Sequence, residues 1–167
     1  MVDLKGQYQK IKQEVDAAVL EVLESAAFIN GPAVSRFQAS LESYLGVKHV
    51  IPCANGTDAL QIAMMALGLE PGDEVIVPSF TFLATAEVIA LLRLTPVMVD
   101  VDADTFLMRP EIFERAITPR TKAVVPVHLF GQSCDMRPIL GIAAEHKIAV
   151  IEDAAQSIGA DYIFPAG

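Results

Sequence analysis

Short apolar runs alternating with helical stretches are the feature that most restricts how this chain can fold. The runs are His49–Cys53, Glu74–Val77, Val97–Val101, Ala123–Val127 and Ile148–Ile151. Helical stretches at about 57–67, 83–92, 110–116 and 136–146 separate them, with Pro110 suited to a first helical turn and Asp135 to an N-cap. Runs apolar on both faces, joined through helices, predict an α/β fold with a mostly parallel sheet covered on both sides and right-handed crossovers. Such sheets bind ligands just outside the carboxyl ends of their strands. The residues following each run are therefore where chemistry is expected.

Two helices are predicted ahead of this alternation. Ile11, Val15, Val19, Val22 and Leu23 recur at helical spacing, and the helix is expected to stop before Asn30-Gly31-Pro32, with glycine taking a left-handed turn. Val34, Phe37, Leu41 and Leu45 mark a second helix closed by Gly46. With 167 residues, the chain suits one domain or the larger part of one. Its apolar fraction of 53 % exceeds the roughly 45–50 % usual for soluble domains, so either much of its surface is covered by a partner or the chain lacks neighbours it was built to touch. That content rules out disorder. A net charge of −9 excludes a sequence-independent nucleic-acid binder, which needs clustered Lys and Arg.

Val75–Leu92 is the nearest approach to a membrane span, but Pro78, Ser79, Thr81 and Thr85 break it into strand, loop and helix. The start MVDLKGQYQK lacks the apolar core of a signal peptide. Cys53 and Cys134 match no metal spacing and read as reduced thiols, giving a soluble cytoplasmic protein. Nothing in Phe164–Gly167 closes a domain, so residues 1–167 are expected to be part of a longer chain.

Three strand ends carry chemistry. The segment Asn55-Gly56-Thr57-Asp58 opens a helix, where free N–H groups, the dipole and a hydroxyl form a phosphate cradle; Asn55 or Thr57 acting only as a helix cap is the alternative. Neither the GxGxxG fingerprint nor a Walker loop is present, which disfavours a dinucleotide oxidoreductase. In Pro78-Ser79-Phe80-Thr81-Phe82, an aromatic at the mouth suits stacking on a planar cofactor ring, with core packing as the alternative. In Glu152-Asp153-Ala154-Ala155-Gln156, a strand-end carboxylate calls for a partner: a cationic ring nitrogen such as a pyridinium, or the N–H groups of the next turn. Gln156 can then donate to a ring oxygen. Together the three segments form three sides of a pyridoxal 5'-phosphate pocket.

The chain also resembles the N-terminal part of the DegT/StrS family of PLP-dependent sugar-nucleotide aminotransferases. Six segments carry the resemblance in order: FINGPAV, YLGVKHVIPCANGTDAL, PGDEVIVPSFTFLATAE, PVMVDVDADTF, AITPRTKAVVPVHLFGQ and VIEDAAQSIGA. The resemblance implies an aspartate-aminotransferase-like (type I) fold, with residues 1–167 the N-terminal portion of the PLP-binding large domain and the small domain outside them. It implies that Gly56 and Thr57 hold the cofactor phosphate, Phe82 lies over the pyridine ring, Asp153 pairs with the ring nitrogen and Gln156 contacts the ring hydroxyl. Asn30 and Gly31 would sit near the sugar-nucleotide entrance. His128, just past a strand end, is a candidate substrate contact, with a structural histidine as the alternative. The implied reaction takes an amino group from glutamate to a nucleotide-linked keto sugar, most similar to UDP-2-acetamido-3-keto sugars, in a homodimer serving amino-sugar or cell-surface polysaccharide biosynthesis.

The family's Schiff-base lysine follows the EDAAQ segment, beyond Gly167. None of the six lysines (Lys5, Lys10, Lys12, Lys48, Lys122, Lys147) stands in its place, so no catalytic residue is assigned and the 167-residue chain alone is expected to be inactive. Two other readings remain open: a non-catalytic PLP- or nucleotide-binding module, and a sugar dehydratase of the same family, in which histidine replaces the lysine. Arg93 stands where the family usually has glycine, and Leu107 and Arg109 replace its Asn and Asp. No metal site is expected: Asp100, Asp102, Asp104 and Glu111 imitate a calcium loop, but Thr105 occupies the position that needs glycine.

Overall fold

The structure, a computed structural model, describes residues 3–164; Pro165–Gly167, part of the terminal segment singled out above, lie outside the described residues. The chain divides into two compact units, meeting between Pro52 and Cys53.

The first unit is a pair of helices, α1 (Leu4–Ser25) and α2 (Pro32–Leu45). Asp3 caps α1 by accepting the Gly6 N–H at 2.9 Å. The helix ends earlier than expected, at Ala26, which takes the left-handed conformation (φ 52°) usually left to glycine. Gly31 instead serves close approach. It is extended, and an added Cβ would stand 2.1 Å from the Ala27 carbonyl oxygen. Pro32 then occupies the first turn of α2, and Gly46 (φ 63°) closes it as expected. Neither helix contains a buried residue, and Val19, Leu20, Leu23 and Phe37 are more than half exposed.

The run His49–Cys53 is not a strand. Its residues are irregular, and Ile51 is 79 % exposed. A strand exists only with a ladder partner, and no described residue provides one; the Val50 N–H donates instead to Glu42 Oε1 at 3.1 Å.

The other four runs do form a sheet in the second unit: β1 (Glu74–Pro78), β2 (Thr95–Val99), β3 (Thr121–Val124) and β4 (Ala149–Val150). The order is β2-β1-β3-β4 and every pair is parallel. Helices α3 (Gly56–Ala66), α4 (Ala84–Leu91), α5 (Pro110–Arg115) and α6 (Met136–His146) occur at the predicted places. Asp135 precedes α6, but its side chain accepts from the Tyr162 hydroxyl instead of capping the helix.

Alternate strand residues serve opposite faces. Val75, Val77, Ala123 and Val125 pack with Leu60, Met64, Val88 and Ile89 of α3 and α4. Ile76, Val99 and Val124 pack with Phe113 of α5 and with Ile139 and Ala143 of α6. Each fully buried aliphatic side chain contributes about 1.5–3 kcal/mol, so the doubly covered centre of the sheet is its most stable part. Beyond β3 and β4 the parallel pairing continues irregularly. Ile151 N–H donates to Val124 O, Asp153 N–H to Pro126 O and His128 N–H to Asp153 O, each at 3.0 Å. These bonds carry Asp153 to the carboxyl edge of the sheet.

Candidate active site

At that edge a cleft of about 230 Å³ is lined by Gly56 and Thr57 of α3, Phe82 ahead of α4, Thr85 of α4, and Asp153 and Gln156 past β4. All five predicted cofactor residues meet there, although Gly56 and Gln156 are a hundred positions apart in the chain.

The helix opening supports both readings of its sequence at once. Asn55 Oδ1 accepts the Asp58 N–H at 2.9 Å, so Asn55 is a true cap. The N–H groups of Gly56 and Thr57 have no intrahelical acceptors and stand at the positive end of the α3 dipole, on residues that line the cleft. Nothing lies within 4 Å of a Cβ built on Gly56, so an anion can approach its backbone. Phe82 is 76 % exposed, which removes the core-packing alternative and leaves an open aromatic face on the rim.

Asp153 is held from two sides by neutral donors. The Thr85 hydroxyl donates to Oδ2 at 3.0 Å and the Ala155 N–H to Oδ1 at 3.2 Å. No cationic side chain pairs with it among the described residues. Gln156 is oriented by the Phe130 N–H, which donates to its Oε1 at 2.9 Å. The carbonyl end of the amide is thereby engaged, and its NH2 end remains available as a donor. Phe130 adopts φ 59° in the turn that presents this N–H, a costly conformation for a non-glycine residue.

His128 does not line the cleft. It is buried at 5 % exposure, with Nε2 2.8 Å from Glu152 Oε2 and Nδ1 accepting the Cys134 N–H at 3.2 Å. The Cys134 and Glu152 side chains push the imidazole pKa up, to about 9, and burial pulls it down. The Cys134 backbone N–H donates to Nδ1 and is suited by a ring whose Nε2 carries the proton toward Glu152; that contact and burial work against the charged form, and the two side chains work for it. Both nitrogens are engaged, which fits the structural alternative rather than a substrate contact. Asn30 and Gly31 belong to the first unit, in the turn between α1 and α2, with Asn30 at φ 49°.

Thr85 was not singled out as a site residue. Its only sequence signal is a hydroxyl on a helix whose other buried positions are Ala84, Val88 and Ile89. A larger cleft of 520 Å³ opens at the opposite edge, among Thr118, Thr121, Lys122, His146 and Lys147. No carboxylate lines it among the described residues, and it lies at the amino ends of the strands. Asp102 Oδ1, from the calcium-like segment, accepts the N–H groups of Asp104 and Thr105 and so closes a turn.

The fold is the α/β fold of the type I aminotransferase class, with a parallel four-stranded sheet. The chain belongs to the DegT/DnrJ/EryC1/StrS aminotransferase family, which it matches over residues 9–163. It is 53 % identical to the UDP-2-acetamido-2-deoxy-3-oxo-D-glucuronate aminotransferase of Pseudomonas aeruginosa, over 96 % of this chain and 45 % of that protein. A solved family aminotransferase from Brucella abortus superposes with a TM-score of 0.90 at 48 % identity, over 94 % of this chain and 44 % of that one. The ntda protein of Bacillus subtilis, solved with bound cofactor PMP, gives a TM-score of 0.86 at 42 % identity, over 90 % and 34 %. The chain thus spans less than half the length of the curated relatives it matches.

Proposed function

We propose that the protein carrying this chain is a PLP-dependent aminotransferase that moves an amino group from glutamate to a nucleotide-linked keto sugar, with a UDP-3-keto sugar as acceptor. The observation that carries the reading is Asp153: a strand-end carboxylate with only neutral donors, in a cleft shared with a helix N-terminus and an open aromatic face. The donor set fits pyridoxal phosphate. Gly56 and Thr57 take the phosphate through backbone N–H groups and the Thr57 hydroxyl. Phe82 covers one ring face. Gln156 donates through its NH2 group to the ring oxygen, and Asp153 holds a proton on the ring nitrogen. The cofactor, when bound, supplies an electron sink for proton removal from the carbon that carries the nitrogen. The amine that anchors it and relays that proton is assigned to a lysine outside residues 1–167, since no lysine lines the cleft.

The named sugar aminotransferases among the relatives support the substrate class, and the Pseudomonas protein supports a 3-keto sugar in particular. The same reading makes residues 1–167 the N-terminal portion of the large domain and places Asn30 and Gly31 near the sugar-nucleotide entrance. It makes the protein a cytoplasmic homodimer in amino-sugar or polysaccharide biosynthesis. The exposed apolar side chains of α1 and α2 suit such an assembly, and no helix among the described residues is long and apolar enough to cross a membrane.

The test is a half-reaction on the full-length protein. Glutamate alone should convert the bound cofactor to its amine form, seen as an absorbance change, and a UDP-3-keto sugar should reverse it. A cofactor spectrum indifferent to glutamate would sink the reading.

A further inference from the structure

The backbone of Asp153 is fixed by Pro126 O and His128 N–H, but its carboxylate can still turn about two side-chain torsions. Two donors set its orientation: the Ala155 N–H, two residues away on the same turn, and the Thr85 hydroxyl, 68 positions earlier in the sequence. Thr85 is 1 % exposed on α4, among Ala84, Val88 and Ile89. A hydroxyl in such surroundings is costly unless bonded. Its bond runs to the carboxylate, and both residues line the same cleft.

We propose that Thr85 is a positioning residue for cofactor binding: its hydroxyl clamps Asp153 Oδ2 so that the carboxylate meets the cofactor's ring nitrogen in a single orientation. This inference rests on reading Asp153 as the partner of that nitrogen. A threonine that merely satisfies itself in the core would affect stability alone. The clamp also acts on affinity and on the ring's electronic state.

The experiment uses the full-length protein and pyridoxal phosphate, following affinity by absorbance titration together with the spectrum of the bound cofactor. Thr85→Val keeps the shape and removes the donor, so affinity should fall about tenfold and the bound-cofactor band should shift. Thr85→Ser restores the donor and should stay within about twofold of the parent. Thr85→Ala carries the same expectation as the valine variant and replaces it if that protein does not fold. Parental affinity and spectrum in a folded donor-less variant would overturn the clamp. Asp153→Asn separates the two levels: if it weakens binding while Thr85→Val does not, only the clamp fails. If Asp153→Asn also binds as the parent does, the reading of Asp153 fails, and the clamp with it.

Discussion

Glu74 and Asp153 mark opposite edges of one parallel sheet, and each is a carboxylate gripped by threonine. At the amino edge, Glu74 receives the Thr118 hydroxyl on Oε2, the Thr121 hydroxyl at 3.4 Å, and the Arg120 guanidinium on Oε1, with Nε at 2.9 Å. Its residue is 3 % exposed, and its charge is already answered within the chain. At the carboxyl edge, Asp153 receives one hydroxyl and one N–H and, among the described residues, no cation. The first arrangement is closed and serves stability. The second leaves a carboxylate at the wall of a cleft with neutral donors alone. Burial alone would not single out the carboxylate that lines the cleft, because Glu74 is the more buried of the two. What distinguishes the two is the charge each group meets.

Breaking the open edge should give the largest effect. Asp153→Ala in the full-length protein should weaken pyridoxal phosphate binding about a hundredfold, the value of a charge-assisted bond of about 2–3 kcal/mol, with circular dichroism unchanged. Parental affinity would make Asp153 as structural as Glu74. Breaking the closed edge should do the reverse. Glu74→Ala leaves Thr118, Thr121 and Arg120 without their acceptor and should cost about 2 kcal/mol in chemical denaturation, while cofactor affinity of the folded protein stays the same. The cost stays moderate because Arg120 is 73 % exposed and screened by solvent.

A third change tests backbone rather than charge. Arg93 holds φ 61° at the turn between α4 and β2, where its carbonyl accepts the Gly72 N–H. Arg93→Gly should therefore stabilise the protein by about 1 kcal/mol, read as a rise in Tm, with no change at either edge. The smallest effect is acidic. The Thr118 hydroxyl and the Arg120 guanidinium, acting against desolvation, hold Glu74 below the ordinary carboxylate range. The group's folded pKa is depressed, so its contribution is complete above the unfolded value of 4.5 and fades as pH falls through the folded value. Glu74→Gln should remove that part of the acid dependence, and a denaturation profile below pH 4.5 that matches the parent would count against it.

Much of this was legible in the chain. Val75-Ile76-Val77 and Val124-Val125 are apolar on successive residues, as suits a strand covered on both faces, and their alternation with helical stretches pointed to the parallel sheet. Asp153-Ala154-Ala155-Gln156 follows such a run, so its place at the carboxyl edge followed from topology. Asn55-Gly56-Thr57, in contrast, follows a run that forms no strand and reaches the same cleft through the packing of α3 on the sheet and α4. Other features carried no local signal. The run His49–Cys53 has strand composition, but pairing depends on a neighbour and none is described. Ala26 ends α1 in a conformation its side chain does not favour, while the glycine expected there is used for a close contact with Ala27. His128 follows a strand like a site residue, yet Glu152 and the Cys134 N–H occupy its ring.

The sequence by itself determined the alternation, hence the layers and the edge that carries the site, because side-chain periodicity and helix opening are local physics. Only the tertiary structure decided which carboxylate is answered by a cation and which is not. It also joined the Thr85 hydroxyl to Asp153 across 68 positions. Charge pairing depends on distance in space, and distance in space between separate elements is set by how they pack, not by any one of them alone.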